Sequence, residues 1–357
     1  MIKNIGVLGL GKVGSLVAVL LSSKYNVEGM DLSLPKENFS FQMRQGDVSL
    51  EKTIRSFLKD KQAIVSCLPY FLNIKIAEIA ADMNVHYFDL TEDVPTLNAV
   101  REMAQSSSAV MAPQCGLAPG FIGILGAGLY NQFSEIRAVK LRVGALPLHP
   151  MGQLGYSFTW SAEGVINEYL NDAEVIHNGE RKLVSSLDDI EIIHLNGKQY
   201  EAFSTSGGLG TLCETLEGKV DTLNYKTMRY PGHRDAMKLF LYDLQMKNDR
   251  ELAKNILHNA LPLVDEDIVL VYAAVEGLID GQLRRKEFSE SYQKIDIEGK
   301  SWRAISWTTA CSVSAVVDLV ATGKLKNQGF IKQEEIPLAL FLESDFGSMY
   351  EKYKNSK

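Results

Sequence analysis

An apolar run of strand length, Ile5-Gly6-Val7-Leu8, passes directly into Gly9-Leu10-Gly11-Lys12-Val13-Gly14 and then into a helix-like apolar segment over 15–21. This strand–turn–helix spacing constrains the chain more than any other feature. Gly9 takes a tight turn, Gly11 lets the backbone approach a pyrophosphate, and Gly14 lets the helix lie close on its strand. At the helix start, around Lys12 and Val13, free N–H groups and the macrodipole favour a bound anion. The chain reads as a dinucleotide binder from its first residues.

A second apolar segment, 27–31, ends in Asp31 about twenty residues downstream, where a carboxylate hydrogen-bonds a ribose diol. Leu32 and Ser33 follow, and neither can neutralise a 2′-phosphate. The expected cofactor is NAD in preference to NADP.

Short apolar strands over 63–67, 86–90 and 109–112 alternate with helical stretches over 50–59, 73–83 and 94–105. Such alternation predicts βαβ units and a parallel sheet, with ligands at the carboxyl ends of the strands. That rule selects Asp31, Leu68-Pro69-Tyr70, Thr91-Glu92 and Cys115-Gly116, with Asn73 joining the contacts of Leu68 and Pro69 to the cofactor. Asp47, in Gly46-Asp47-Val48, stands near an adenine site or in a surface turn. From 136 to 297 the strands lengthen, with hairpin signals at Asn178-Gly179 and Asn196-Gly197. Candidate strands there are 138–143, 156–160, 190–194, 219–224 and 268–276. The apolar stretch 304–323 then returns to helix and is expected to pack on the N-terminal sheet. The fold class is α/β: a Rossmann-like parallel-sheet domain (1–121), an inserted α+β domain on a mixed or antiparallel sheet (122–303), and returning C-terminal helices (304–357).

With 357 residues, 46% of them hydrophobic, the chain can bury more than one core. A net charge of −7 argues against nucleic acid or an anionic membrane as partner. Cys67, Cys115, Cys213 and Cys311 form no CxxC pair and adjoin no histidine, which suits reduced thiols, a cytoplasmic setting and no metal site. A strand starting by the third or fourth residue leaves no room for a leader. The apolar stretches 121–129 and 268–279 are too short to cross a bilayer.

Two blocks carry a family resemblance: Gln114-Cys115-Gly116-Leu117-Ala118-Pro119-Gly120 and Tyr225-Lys226-Thr227-Met228-Arg229-Tyr230-Pro231-Gly232-His233. With Phe158-Thr159-Trp160-Ser161 and Glu201-Ala202-Phe203 between them, the chain resembles the saccharopine dehydrogenase-like family over essentially its whole length. It is most similar to the L-lysine 6-dehydrogenase branch. Ala118 stands where many saccharopine reductases carry an aspartate, which counts against simple transfer of their reaction. The resemblance implies a substrate domain that also builds a homodimer or larger assembly. It further implies oxidation of a terminal amine: L-lysine loses a hydride from its ε-carbon to NAD⁺, and water releases ammonia and a semialdehyde.

Such chemistry needs a base for the ammonium proton, a forked cation for the substrate carboxylate and an apolar slot for the carbon chain. Arg229 is the carboxylate candidate, with a surface or interdomain salt bridge as its alternative. Glu92 and His233 are the base candidates; Glu92 could instead serve the following helix start, and His233 could cap 234–244. Cys115 joins the catalytic candidates by position, although hydride transfer needs no covalent intermediate and its role is one of shape. Tyr230, Thr159, Trp160 and Lys226 complete the substrate set. The rivals are a reductase joining an amino acid to a semialdehyde, and a non-catalytic nucleotide sensor. The reductase would need a second carboxylate-binding cation from Arg142, Lys226 or Arg234.

Overall fold

The computed structural model describes residues 2–158, 160–261 and 264–355, so Thr159 lies outside the described residues. The chain divides into two compact units, residues 1–124 with 306–357, and residues 125–305.

In the first unit, β1 (Asn4–Leu8), β2 (Asn26–Asp31), β3 (Gln42–Gln45), β4 (Ala63–Ser66), β5 (His86–Asp89), β6 (Val110–Ala112) and β17 (Gly329–Phe330) form one parallel sheet. Its order is β17-β6-β5-β4-β1-β2-β3, which reverses direction at β1 and β4. That reversal is the switch point where Rossmann sheets bind their ligands. The helices α1 (Lys12–Ser22), α2 (Glu51–Leu58), α3 (Tyr70–Asp82) and α4 (Val94–Ala104) connect the strands. Helix α1 is buried from Gly14 to Leu21, because its residues there are apolar or small on every face. Ile64, Ile76, Tyr87, Val100 and Met111 belong to one continuous core cluster. Strands β3 and β17 carry no apolar alternation, and sheet pairing alone reveals them.

Helix α10 (Ala304–Ala321) has the length and apolarity of a bilayer-crossing helix, more than the stretches weighed from sequence, yet 94% of it is buried inside the protein. Its start is fixed by Asp267, whose carboxylate accepts from the Ala304 and Ile305 N–H groups at 2.6 and 2.9 Å. Asp318, near its end, accepts from Tyr25 (2.6 Å) and pairs with Lys24 (3.1 Å).

The second unit holds an eight-stranded mixed sheet, β10-β11-β12-β7-β13-β14, with β8 paired to β12 and β9 to β8. Its long members are β7 (Glu135–Pro147), β13 (Asp267–Ile279) and β14 (Gln282–Tyr292). The shorter ones are β8 (Ala173–His177), β9 (Glu180–Val184), β10 (Glu191–Leu195), β11 (Lys198–Ser204) and β12 (Thr222–Arg229). Only β12 runs parallel to its neighbour β7; the other pairs are antiparallel. Both anticipated hairpin turns have two positive-φ residues, as does Asp280-Gly281, which the sequence reading passed over. The expected strand 156–160 does not form among its described residues. Tyr156 and Phe158 turn inward from a loop, against His233 and His258. Helices α6 (Ala162–Leu170), α8 (His233–Lys238) and α9 (Arg250–Ala260) supply residues to the core cluster that also takes in Met228 and Leu270.

A Cβ on Gly14 would fall 1.8 Å from the Gly9 carbonyl oxygen, whereas one on Gly11 would meet nothing. Gly14→Ala is therefore expected to cost about 1–3 kcal/mol of stability, and Gly11→Ala to leave the melting temperature nearly unchanged. Thermal melts of the two variants check this.

Candidate active site

The nucleotide end of the first unit is built around the glycine turn. Gly9 takes φ +86°, its N–H bonds to Met30 O (2.9 Å), and Cys67 O closes over it. Helix α1 begins at Gly11 with no side-chain cap and no acid in its first turn. Its N-terminal N–H groups suit an anion, and the open space over Gly11 leaves room for a phosphate to approach. The residues therefore fit a dinucleotide. Asp31 ends β2, where its carboxylate accepts from the Leu10 N–H (2.6 Å) and the Ser33 N–H (3.0 Å). Gly46 N–H bonds to Asp31 O (2.9 Å), which draws the next residue, Asp47, toward this end of the sheet. Asp47 itself accepts from Ser49 N–H (2.8 Å), the bond of a turn before α2. Leu68 packs near Gly9, and Pro69 starts α3. Asn73 is buried, its Oδ1 accepting from Ser66 Oγ (2.7 Å).

At the next strand ends, Asp89 is fully buried and organises its surroundings. It accepts from Thr91 N–H and Gln114 N–H (both 2.9 Å) and from Tyr87 Oη (2.8 Å). Burial raises its carboxyl to about 6 against those bonds, and the charge of Asp93 adds to the rise. Asp93, not Glu92, caps α4, accepting from Thr96 N–H (3.0 Å) and Thr96 Oγ1 (2.7 Å). Glu92 is thus left half-buried with no ion pair among the described residues. Burial pushes its carboxyl up to about 7, with Asp93 and Asp89 acting in the same direction. A carboxyl so poised can take up a proton near neutrality.

Cys115 is corrected from the catalytic set. It is fully buried, its thiol directed at Ala112 O (3.1 Å) and met by the Gln333 amide (3.4 Å). Burial and Asp89 push the thiol well above its ordinary range, so no thiolate is available at neutral pH. Gly116 is buried beside it and bridges to Gly120.

In the second unit, Arg229 at the end of β12 is 3% exposed. Its Nε donates to Tyr169 Oη (2.9 Å), its Nη1 to Met228 O (2.9 Å), and it lies 4.8 Å from the Tyr156 ring centre. Burial works against its charge, but Tyr169, Tyr156 and Glu168 outweigh it and hold Arg229 firmly protonated. No carboxylate among the described residues pairs with it. The other buried cations among the described residues of this unit have carboxylate partners. Lys226 pairs with Asp189 (3.0 Å) and Glu191 (3.4 Å), and Arg142 pairs with Glu191. The substrate role expected for Lys226 is corrected accordingly. Partly exposed Arg234 donates to Leu187 O (2.7 Å) and pairs with Asp235 and Asp188.

His233 is corrected as a base. Its Nδ1 lies 2.9 Å from Leu154 O and its Nε2 3.0 Å from Tyr169 Oη. Burial and the neighbouring Arg229 lower its pKa to about 3, so it is a neutral positioning residue for Tyr169. Tyr230 donates to Pro147 O (2.9 Å) and packs against Tyr200, a framework place where substrate contact had been expected. Trp160 is half-buried at the edge of the same core, and its indole approaches the Tyr156 hydroxyl. Sequence reading passed over Tyr169, which joins Arg229 to His233. It also gave no role to Glu201, whose carboxylate accepts from the Gly232 (2.9 Å) and Arg234 (2.5 Å) N–H groups and so fixes the turn after Arg229. Its Glu-Ala-Phe context was the one available signal.

The glycine turn, switch point and terminal acid define an NAD(P)-binding Rossmann unit, and the chain continues into a mixed-sheet unit with a buried arginine. The chain belongs to the saccharopine dehydrogenase family: residues 5–112 match its NADP binding domain and residues 116–343 its C-terminal domain. The family comprises NAD(P)-dependent oxidoreductases acting on CH–NH bonds. The mitochondrial alpha-aminoadipic semialdehyde synthase of Mus musculus is 24% identical over 260 residues, 67% of this chain and 28% of that protein. The matched part of the chain thus spans under a third of that relative. Among solved structures, a saccharopine dehydrogenase (L-Glu forming) from Saccharomyces cerevisiae has the same fold, with TM-score 0.77, 16% identity and coverage of 99% and 98% of the two chains. A homospermidine synthase from Legionella pneumophila in complex with NAD follows at TM-score 0.66, with 12% identity and coverage of 98% and 89%.

Because the Glu92 carboxyl titrates near 7 in the fold against 4.5 ordinarily, its ionisation opposes folding. The penalty is absent below about pH 4.5, grows between the two values and is complete above about pH 7. Glu92→Gln should therefore raise the melting temperature at pH 8 and leave it unchanged at pH 4. Melts at the two pH values test the assignment.

Proposed function

We propose that the chain catalyses NAD-dependent oxidative deamination of the terminal amine of L-lysine or a similar amino acid, giving a semialdehyde and ammonia. One observation carries this reading: among the described residues of the second unit, Arg229 is the one buried cation with no carboxylate partner. A guanidinium held this way fits one substrate carboxylate. A saccharopine-type condensation would call on a second cation, and Arg142, Lys226 and Arg234 are already paired.

In this proposal Arg229 holds the substrate carboxylate, with Tyr169 and His233 fixing its fork. Glu92 accepts a proton from the ε-ammonium, which frees a nitrogen lone pair to assist departure of the hydride from the ε-carbon. NAD⁺, when bound across Gly9, Gly11, Gly14 and Asp31, supplies the hydride acceptor. After Glu92 has passed that proton to solvent, water adds to the resulting iminium carbon and gives its proton to Glu92; Glu92 returns it to the nitrogen, and the carbinolamine collapses to the aldehyde and ammonia as its hydroxyl proton leaves. The same proposal takes the protein to be cytoplasmic and a homodimer or larger assembly.

Purified protein with L-lysine and NAD⁺ should produce NADH and ammonia in equal amounts, with kcat rising through about pH 7 and the rise abolished in Glu92→Gln. Consumption of NADH only when a semialdehyde and a second amine are supplied together would replace this reading by the reductase. Tight NADH binding without turnover of any amine would replace it by the sensor. Asp31→Ala should weaken NAD⁺ and narrow the gap to NADP⁺ by on the order of tenfold, one lost hydrogen-bonded charge. A wild-type preference for NADP⁺ overturns that part.

A further inference from the structure

Nine residues other than glycine take a positive φ among the described residues. Five are Asn or Asp, whose short polar side chains tolerate it. Gln245 and Glu298 are exposed, and Leu187 packs its side chain into the core of the second unit. Gln114, at φ +64°, has none of these reasons. It is 3% exposed, and its side-chain Nε2 is buried without a hydrogen-bond partner among the described residues. Glycine would fit this backbone without strain. Buried polar groups are nearly always bonded, and a strained backbone persists only where its surroundings hold it. Here they do. Asp89 accepts the Gln114 N–H at Oδ1 (2.9 Å) and the Cys115 N–H at its carbonyl oxygen (2.8 Å), while Gln333 Nε2 donates to Pro113 O (3.0 Å). The loop is thus clamped from two directions around a side chain whose amide N–H groups have no bond of their own.

The place of that loop in the sheet says what the amide is for. Gln114 follows β6, at the carboxyl end of the strand and beside β5. In the order β17-β6-β5-β4-β1-β2-β3 it stands on one side of the glycine turn after β1, and Asp31, ending β2, stands on the other. A dinucleotide laid across this switch point with its adenosine ribose at Asp31 carries its nicotinamide half toward β4, β5 and β6. The nicotinamide ring bears a primary carboxamide, which offers both a carbonyl acceptor and an N–H donor. It therefore engages a glutamine amide either way round.

We propose that Gln114 hydrogen-bonds the nicotinamide carboxamide of the bound dinucleotide, and that its left-handed backbone is held for that contact. The assignment does not depend on which amine is oxidised.

The test is calorimetric binding of NADH and of ADP-ribose, which lacks the nicotinamide, to the full chain. Gln114→Gly removes the side chain and suits a positive φ, so its melting temperature should be no lower than that of wild type. That variant should bind NADH about five- to tenfold more weakly, as for one lost hydrogen bond, and ADP-ribose within about twofold of wild type. Gln114→Glu keeps the length but presents no donor at neutral pH, and should shift the NADH-to-ADP-ribose ratio in the same direction. Unchanged NADH affinity in both variants overturns the proposal and leaves the amide to a buried water. Equal weakening of the two ligands overturns it in favour of a scaffolding role for the loop. If Gln114→Gly fails to fold, the ratio in Gln114→Glu decides. No amine is present in these measurements, so the two readings fail separately. The expected ratio without L-lysine turnover would uphold Gln114 and refute the deaminase, and L-lysine turnover with an unchanged ratio would do the reverse.

Discussion

A guanidinium kept out of water without a carboxylate beside it is the constraint around which the second unit is arranged. Desolvating such an ion costs several kcal/mol even after relaxation, and Arg229 recovers this from oriented dipoles and ring faces. Tyr169 Oη and Met228 O take two of its donors, and the Tyr156 ring lies 4.8 Å away. Those partners must themselves be held. His233, neutral because it is buried and next to a cation, gives Tyr169 an acceptor at Nε2 while Leu154 O engages the other ring nitrogen. Glu201 grips the turn that carries His233. The Tyr-Pro-Gly-His string is in this sense scaffolding for one arginine, which explains why so specific a motif contributes only one group to the proposed chemistry.

The first unit solves the opposite problem, how to leave an acid available. Three acids cluster at the end of β5, and two are spent on structure: Asp89 ties Thr91 and Gln114 together, and Asp93 caps α4. Burial, helped by their charges, raises the third, Glu92, to about 7. The division of labour follows from geometry. Asp93 is one residue closer to the helix and has the shorter reach that an N-cap prefers, so the longer glutamate is left uncommitted. An acid held near neutrality by its neighbours is a better proton acceptor at physiological pH than an isolated one, since it is both partly ionised and appreciably basic.

The nucleotide unit was legible in the sequence because its determinants are local. A glycine turn, an apolar helix and alternating short strands each declare themselves within a dozen residues, and only the unpatterned β3 and β17 escaped. The second unit was less legible because its determinants are long-range. Tyr156 and Phe158 alternate as a strand would, but the alternation serves a loop packed on His233 and His258. His233 and Lys226 carry the right chemistry for a site, and nothing in their neighbourhood along the chain reveals that Tyr169, Asp189 and Glu191 consume it. Tyr169 lies sixty residues from Arg229 in the chain, a separation at which sequence pattern is silent.

The cofactor poses the sharpest physical question, since the matching family domain is described as NADP binding while this chain ends β2 in Asp31. The Asp31 carboxylate is not a free side chain that could swing aside for a phosphate. One oxygen accepts from the Leu10 N–H inside the glycine turn and the other from the Ser33 N–H beyond it. It therefore acts as a strut between the turn and the following loop, and its negative charge is fixed at the place where a ribose edge would come. A 2′-phosphate brought there would face that charge at short range, with Leu32 and Ser33 as the next residues and no arginine among them. A ribose diol instead completes the carboxylate with two donors at no electrostatic cost. On the proposed preference for NAD, removing Asp31 would relieve the repulsion only by loosening the glycine turn, so that the choice of dinucleotide and the integrity of the turn would depend on the same two hydrogen bonds.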